Sequence, residues 1–319
     1  MPVTLADVAA RAGVSPVTAS RALRAPGKLT PAALARVEAA MRELGYVPNL
    51  VASALASART QAVAILVPTI ASAIFASTVE GASAILEPCG YAVLLAQSGY
   101  DPAREEQALR ALLARRPEAL VMVGAPATAA GAAMLRQAGV RVVETWELPD
   151  APIDAAVGFD NRAVGEAVGQ HLAAQGRRRL AFLGSADRRS LQRFAGFADA
   201  ARAAGLPAPP QVMVAPPGSA DAAAKQTAEL GDADGVFTST DAFAVGVLGA
   251  LRCAGRRVPE EVAVIGLGDL EIGHHVVPTL STVRIDGRRI GETAAEIVLG
   301  ARDASRVDLG FELIRRGSG

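Results

Sequence analysis

This chain of 319 residues is expected to be an α/β protein, with an all-helical head ahead of a two-lobed body of parallel sheets. Near the start, two short helical runs flank a glycine turn. From residue 61 onward, apolar strand-like runs alternate with helical runs, as in parallel sheets covered on both faces. Roughly 260 residues of such alternation suit two sheets better than one. The alternation also opens twice, near 62–67 and again near 179–184.

The head is expected to hold helices over 5–12, 16–23 and 31–44. Ser15 can cap the second helix, and Pro16 suits its first turn because no N–H is needed there. Thr30-Pro31 does the same for the third. Leu34, Val37, Ala40, Met41 and Leu44 fall at helical spacing and give that helix one apolar face. Tyr46 and Val47 are expected to seal the small core, and Pro48 to stop the chain from continuing as helix. Two short helices joined by a tight glycine turn form the unit that lays its second helix in the DNA major groove. Residues 46–60 read as a linker with a helical option. Asn49 can cap it, and Val51, Ala52, Leu55 and Ala56 give a short apolar stripe. A helix this short is marginal alone, so it needs DNA or the same segment of a second subunit.

In the body, strands are expected at 62–67, 92–96, 119–123, 141–143, 179–183, 211–214, 235–239, 262–266 and 311–315. Helical patterns lie over 73–87, 103–114, 161–175, 189–204, 241–254 and 288–299. Open parallel sheets bind ligands beyond the carboxyl ends of their strands, and paired lobes commonly hold a ligand between them. The loops at 68–75, 124–128, 144–147, 184–193, 239–243 and 266–272 are therefore the places for a site.

Hydrophobic content of 51% against 20% charged residues indicates a folded chain. Net charge is zero, yet residues 1–60 carry seven Lys/Arg against three Asp/Glu. A basic head on a more acidic body suggests nucleic acid as a partner of the head. The two cysteines, Cys89 and Cys253, lie far apart and are expected to be buried free thiols in a reducing compartment. No secretion pattern opens the chain and no apolar run reaches membrane-spanning length, so a cytoplasmic protein without a membrane partner is expected. Gly266-Leu267-Gly268 lacks the third glycine and the setting of a dinucleotide fingerprint. His274-His275 has no apparent third ligand. No nucleophile–base pair is visible. Catalysis, metal and cofactor are therefore not expected.

The opening motif, Val3-Thr4-Leu5-Ala6-Asp7-Val8-Ala9 running into Ala12-Gly13-Val14-Ser15-Pro16-Val17-Thr18-Ala19-Ser20-Arg21, resembles bacterial transcriptional regulators of the LacI/GalR family. The Tyr46-Val47-Pro48-Asn49 joint and the two-lobed body extend that resemblance over essentially the whole chain. Ala64-Ile65-Leu66-Val67-Pro68, Gly158-Phe159-Asp160-Asn161, Asp241-Ala242-Phe243 and Glu271-Ile272-Gly273 are similar to gluconate-operon repressors within the family. The resemblance implies a helix-turn-helix domain over 1–45, a hinge over 46–60 and a periplasmic-binding-protein-like effector and dimerisation body over 61–319. The lobes would comprise about 61–157 plus 285–307, and 158–284 plus 308–319. It also implies a homodimeric repressor on near-palindromic double-stranded operator DNA, controlled by a small molecule. Gluconate or a related sugar acid acting as inducer is the leading expectation. A corepressor-type metabolite, another sugar, or a binding module without DNA remain open.

By that resemblance, Pro16, Val17 and Arg21 face base edges. Arg21 can bond guanine bidentately, and Val17 offers only apolar contact, as to a thymine methyl. Thr4, Leu5, Ser15, Thr18, Ser20, Arg24 and Asn49 are candidates for the DNA backbone, with plain capping open for Ser15. Ala52 and Leu55 belong to the hinge, where Leu55 is expected to wedge a minor-groove base step. For the effector, Arg193 matches the family position that reaches the ligand and is expected to take the carboxylate. Asp241 is a candidate hydroxyl acceptor, with helix capping equally open. Phe75 and Trp146 are candidate walls, and Glu147 and Glu271 candidate polar contacts, with Glu144 and Asp160 weaker ones. Where sugar-binding relatives commonly carry an Asp, this chain has Gly268 followed by Asp269, which points away from neutral sugars.

Overall fold

The computed structural model describes residues 3–47, 60–216 and 218–319. They form two compact units, divided between Thr60 and Gln61. The head contains helices α1 (Leu5–Ala12), α2 (Pro16–Arg24) and α3 (Pro31–Leu44). Each start is capped by a hydroxyl. Thr4 accepts from the Asp7 amide, Ser15 from Thr18 and Thr30 from Ala33. Caps of this kind contribute about 1 kcal/mol apiece. Asp7 returns the Thr4 bond by accepting from the Thr4 amide at 2.8 Å. The Thr4 hydroxyl and amide bonds hold the Asp7 carboxyl below its ordinary value. Gly13 ends α1 at φ +63°, a left-handed turn that a side chain would strain. The helices close on Val8, Ala12, Ala22, Val37 and Ala40, with Leu5, Leu34, Met41, Leu44 and Tyr46 packed around them.

The body is built from twelve strands among the described residues, in two six-stranded sheets. The first sheet holds β1 (Ala62–Val67), β2 (Ala92–Gln97), β3 (Ala119–Val123), β4 (Arg141–Thr145), β5 (Ala155–Gly158) and β11 (Arg306–Asp308). Its spatial order is β11-β5-β4-β3-β1-β2, and every pairing is parallel. The second sheet holds β6 (Leu180–Ser185), β7 (Gln211–Val214), β8 (Gly235–Thr238), β9 (Ala263–Leu267), β10 (Ser281–Arg284) and β12 (Glu312–Ile314). Its order, β12-β10-β9-β8-β6-β7, repeats that of the first. Only β12 runs antiparallel to its neighbour. Central strands such as β1 and β3 are buried along their whole length, as a sheet covered on both faces requires. Strands β5, β10 and β11 are absent from the sequence-based expectation. They are three or four residues long and carry too little apolar pattern to register.

Helices α4 (Ala73–Leu86), α5 (Pro102–Leu113), α6 (Ala129–Ala138) and α12 (Gly287–Val298) cover the first sheet. Helices α7 (Asn161–Ala174), α8 (Arg188–Ala203), α9 (Ala220–Gln226), α10 (Asp241–Cys253) and the short α11 (Ile272–His275) go with the second. The chain passes between sheets three times: after β5, after β10, and between β11 and β12. In each lobe two helices meet through glycine. A Cβ on Gly165 of α7 would fall 1.8 Å from the Arg193 carbonyl oxygen of α8, and one on Gly291 of α12 would fall 2.0 Å from the Thr78 carbonyl of α4. Those helices can approach this closely only without a side chain there. Cys89 and Cys253 are exposed, which corrects the expectation that they are buried. Cys253 is the last residue of α10, and Cys89 closes the short 3₁₀ turn Glu87–Cys89 after α4. Both stand past the packed length of their helices.

Candidate DNA-reading head and effector cleft

On α2, Ala19 and Ala22 turn into the head core. Helical spacing then puts Val17, Ser20 and Arg21 on the opposite side. Val17 is 65% exposed. Pro16 and Arg21 are exposed as well, and Thr18 and Ser20 are half-buried. Ser15 caps α2 and also shares a 2.9 Å contact with the Thr18 hydroxyl. Leu5 packs into the core, so the backbone amide is the only donor it can offer a phosphate. Asn49, Ala52 and Leu55 lie outside the described residues, as does the side chain of Arg24.

In the body, two neighbouring cavities open at the carboxyl ends of the strands. The outer cavity, about 250 Å³, is lined by Tyr100, Glu105, Ala125 and Glu147 from the first lobe and by Asp187, Arg188 and Arg189 from the second. The inner one, about 30 Å³, is lined by Phe75, Tyr100 and Trp146 from the first lobe and by Asp187, Arg189, Arg193, Ser239 and Thr240 from the second. The structure thus brings together Phe75, Trp146 and Arg193, with Glu147 close by in the outer cavity. Phe75 and Trp146 meet edge to face, their ring centroids 5.3 Å apart. The Trp146 backbone is held at φ +70°, unusual for so large a residue. Three bonds retain it there: its amide donates to Val157, its indole N–H to the Thr78 hydroxyl, and its carbonyl accepts from the Asn161 amide nitrogen.

Asn161 also accepts from Nη1 of Arg193, so one amide side chain ties the Trp146 loop of the first lobe to an arginine of the second. Burial draws the Arg193 guanidinium down to about 10, against the pull of Asp187, and it stays charged at neutral pH. Its Nε and the hydroxyl of Ser239 are buried and have no partner among the described residues. Leaving such groups unpaired costs about 1–3 kcal/mol each, so a polar ligand is the natural occupant. Asp187 caps α8 through the amides of Arg189 and Ser190. Burial raises its carboxyl, but Arg189 and Arg193, with bonds from Ser185 and Ser190, outweigh that and hold it low. Glu147 accepts from the Ala125 amide and forms a two-pronged pair with Arg188, at 3.1 Å on each prong, across the cleft.

Two expected effector contacts stand apart from these cavities. Asp241 lines neither cavity, and both its oxygens are engaged, by the Thr282 hydroxyl and by the Leu270 amide at 2.7 Å. Gly266 makes room for it: a Cβ there would stand 2.1 Å from Asp241 Oδ1. The cap of α10 is Thr240, so the capping reading of Asp241 also gives way. Burial pushes the Asp241 carboxyl up to about 6. Glu271 is exposed and lines neither cavity. Of the weaker candidates, Asp160 caps α7. Glu144 is buried in β4, where burial pushes it up to about 7 and Oε2 has no partner. Sequence reasoning missed Tyr100, Asp187, Arg188, Arg189, Asn161 and Ser239. The Arg188-Arg189 doublet directly after a buried strand was the available signal.

A helix-turn-helix head joined to a two-lobed body with a polar cleft is the make-up of a ligand-controlled DNA-binding regulator. Comparison with known proteins names the family. The model described as bacterial regulatory proteins, lacI family, matches residues 4–49, and that of a periplasmic binding protein-like domain matches residues 169–318. The chain is 39% identical over 327 residues to the HTH-type transcriptional regulator GntR of Pseudomonas aeruginosa, covering 99% of this chain and 95% of that protein. It is 32% identical to the regulator of the same name from Escherichia coli K12, with 98% of each covered. A crystal structure of a LacI-family transcriptional regulator from Silicibacter pomeroyi superposes with a TM-score of 0.91 at 31% identity, over 99% of each chain. This chain belongs to the LacI family of transcriptional regulators, a family of DNA-binding proteins and not of enzymes. Among the described residues, no helix is long and apolar enough to cross a membrane.

Proposed function

We propose that the chain is a cytoplasmic repressor, active as a homodimer on a near-palindromic operator, and released by gluconate or a related sugar acid. The observation that carries the effector class is the buried, unpartnered Arg193 Nε beside the unpartnered Ser239 hydroxyl. A guanidinium calls for an anion, a hydroxyl for a polyol, and the Phe75–Trp146 rings give an apolar wall. On the DNA side, Arg21 reads guanine and Val17 a thymine methyl, with Thr4, Ser15, Thr18 and Ser20 near phosphates. Leu55 acts as the minor-groove wedge, and the hinge over 46–60 transmits the state of the lobes. As an inducer, the acid must bind the DNA-free form more tightly than the operator-bound form, and operator must weaken its binding in return.

The test is a mobility shift of DNA from upstream of the protein's own gene, at several salt concentrations, with and without D-gluconate. A salt-sensitive complex that gluconate dissolves supports the proposal. A complex that gluconate tightens reverses the sign and makes the acid a corepressor. Absence of any shift at low ionic strength defeats the DNA assignment.

A further inference from the structure

The proposed reading gives the acid end of the effector to Arg193, but Arg193 is already held. Its Nη1 donates to Asn161, which the Trp146 carbonyl holds in turn, and its buried Nε has no partner among the described residues. Arg189, one turn earlier on α8, stands differently. It is 9% exposed, yet its pairing with Asp187 is 3.7 Å long, beyond a charge-assisted hydrogen bond. Its guanidinium carbon stands 5.6 Å over the Phe75 ring, and it shares the lining of both cavities with Tyr100. A Cβ on Gly124 would come within 2.6 Å of its Nη1. Arg189 therefore reaches from the second lobe into the first, to Phe75 on α4 and to the loops at Tyr100 and Gly124.

Arg189, Tyr100 and Asp187 each line both cavities, so they form the wall between them. Inside that wall lie the unpartnered Arg193 Nε and Ser239 Oγ, in about 30 Å³. Such a space holds little more than one water molecule. A polyol acid reaches those two atoms only when the wall gives way. Arg189 is the mobile member: Asp187 is fixed as the cap of α8, whereas the Arg189 guanidinium is held by a long ion pair and a ring face.

We propose that Arg189 is the charge-reading gate of the cleft: it separates the two cavities as described here, and on binding it leaves Asp187 and Phe75 to grip the carboxylate of an anionic polyol. This rests on the sugar-acid reading above and adds the residue that tells an acid from its neutral counterpart. A planar guanidinium fork matches a carboxylate, and in a water-poor cleft their attraction is larger than at the surface. A neutral polyol brings no charge to replace Asp187, so the gate stays where it is.

Trp146 is the only tryptophan and lines the inner cavity, so its emission reports occupancy directly. Full-length protein would be titrated with D-gluconate and with D-sorbitol, which has CH₂OH in place of the carboxylate. Wild-type protein is expected to prefer gluconate by about 100-fold or more, as sites built around a specific polar group do. Arg189→Gln is expected to shrink that preference below about tenfold, the loss falling on gluconate. Arg189→Lys, which keeps charge without the fork, should lie between, and it carries the test if Arg189→Gln does not fold. Variants that keep the full wild-type preference overturn the gate and leave the sugar-acid reading standing. Wild-type protein that binds both compounds equally overturns both.

Discussion

The two lobes of the body share a scaffold and divide the chemistry. Each is a six-stranded sheet with the same spatial strand order, and in each the helix after the first strand packs through glycine on the helix where the chain crosses. Yet the first lobe brings rings and acids to the cleft, in Phe75, Trp146, Glu105 and Glu147, while the second brings the cations Arg188, Arg189 and Arg193. Neither lobe alone can satisfy a ligand that has an anionic end and a hydroxylated chain. A duplicated fold has thus been given complementary halves, and the cavities between them draw on both.

The shared part is tested by filling the helix contacts. Gly165→Ala and Gly291→Ala should each destabilise the body by about 3 kcal/mol, because backbone atoms, not flexible side chains, oppose the new carbon. Urea unfolding would show similar losses in both lobes. A cost confined to one lobe would break the structural parallel.

The next comparison uses the buried carboxyl in each lobe. Asp241 rises from its ordinary 3.8 to about 6, and Glu144 from 4.5 to about 7. Both are raised, so between those values the folded chain holds the proton and the unfolded chain has lost it. Stability therefore falls as pH rises through each window, by of order 2–3 kcal/mol for each group. Asp241→Asn should flatten the unfolding free energy between about pH 4 and 6, and Glu144→Gln between about pH 4.5 and 7. Above pH 7 the gain should be larger for Glu144→Gln, because Oε2 of Glu144 has no partner whereas both oxygens of Asp241 do. Melting curves across pH 4–8 would check the order, and parallel curves for all three proteins would refute it.

Smaller effects come from the ties between lobes. Asn161→Ala leaves the Trp146 carbonyl and an Arg193 nitrogen unpaired and should cost about 2 kcal/mol. It should also lower effector affinity by loosening Arg193, which calorimetry reads apart from melting. Glu147→Gln weakens the cross-cleft pair with Arg188, whose side chain is 53% exposed. The expected loss is about 1 kcal/mol or less, declining as salt is added. A loss as large at high salt as at low would mean that the Ala125 amide bond, not the ion pair, is what Glu147 contributes.

Much of this was legible in the chain. The head helices follow from Ser15-Pro16, Thr30-Pro31 and the apolar face of 31–44, all local signals. Strands β1 and β3 announce themselves as unbroken apolar runs. Strands β5, β10 and β11 do not, because Ala155–Gly158, Ser281–Arg284 and Arg306–Asp308 form only where a neighbouring strand awaits them. Helices α6 and α9 are rich in alanine and lack a distinct apolar stripe. In the body, resemblance pointed to Phe75, Trp146 and Arg193, which line one cavity, and to Asp241, which lines neither because Thr282 and Leu270, distant in sequence, engage its carboxylate. Arg189 was missed for the same reason: its significance lies in Phe75 and Tyr100, which only folding brings to it.

The interleaved path of the body has a consequence for its biosynthesis. Two edge strands, β11 and β12, follow every other described strand in the chain, one for each sheet. A nascent chain halted before residue 306 would present an unzipped margin on β5 and another on β10. Such margins invite pairing with other chains. Stalled products of this gene should therefore be prone to clumping or to capture by chaperones, and neither lobe should reach maturity ahead of the other during translation.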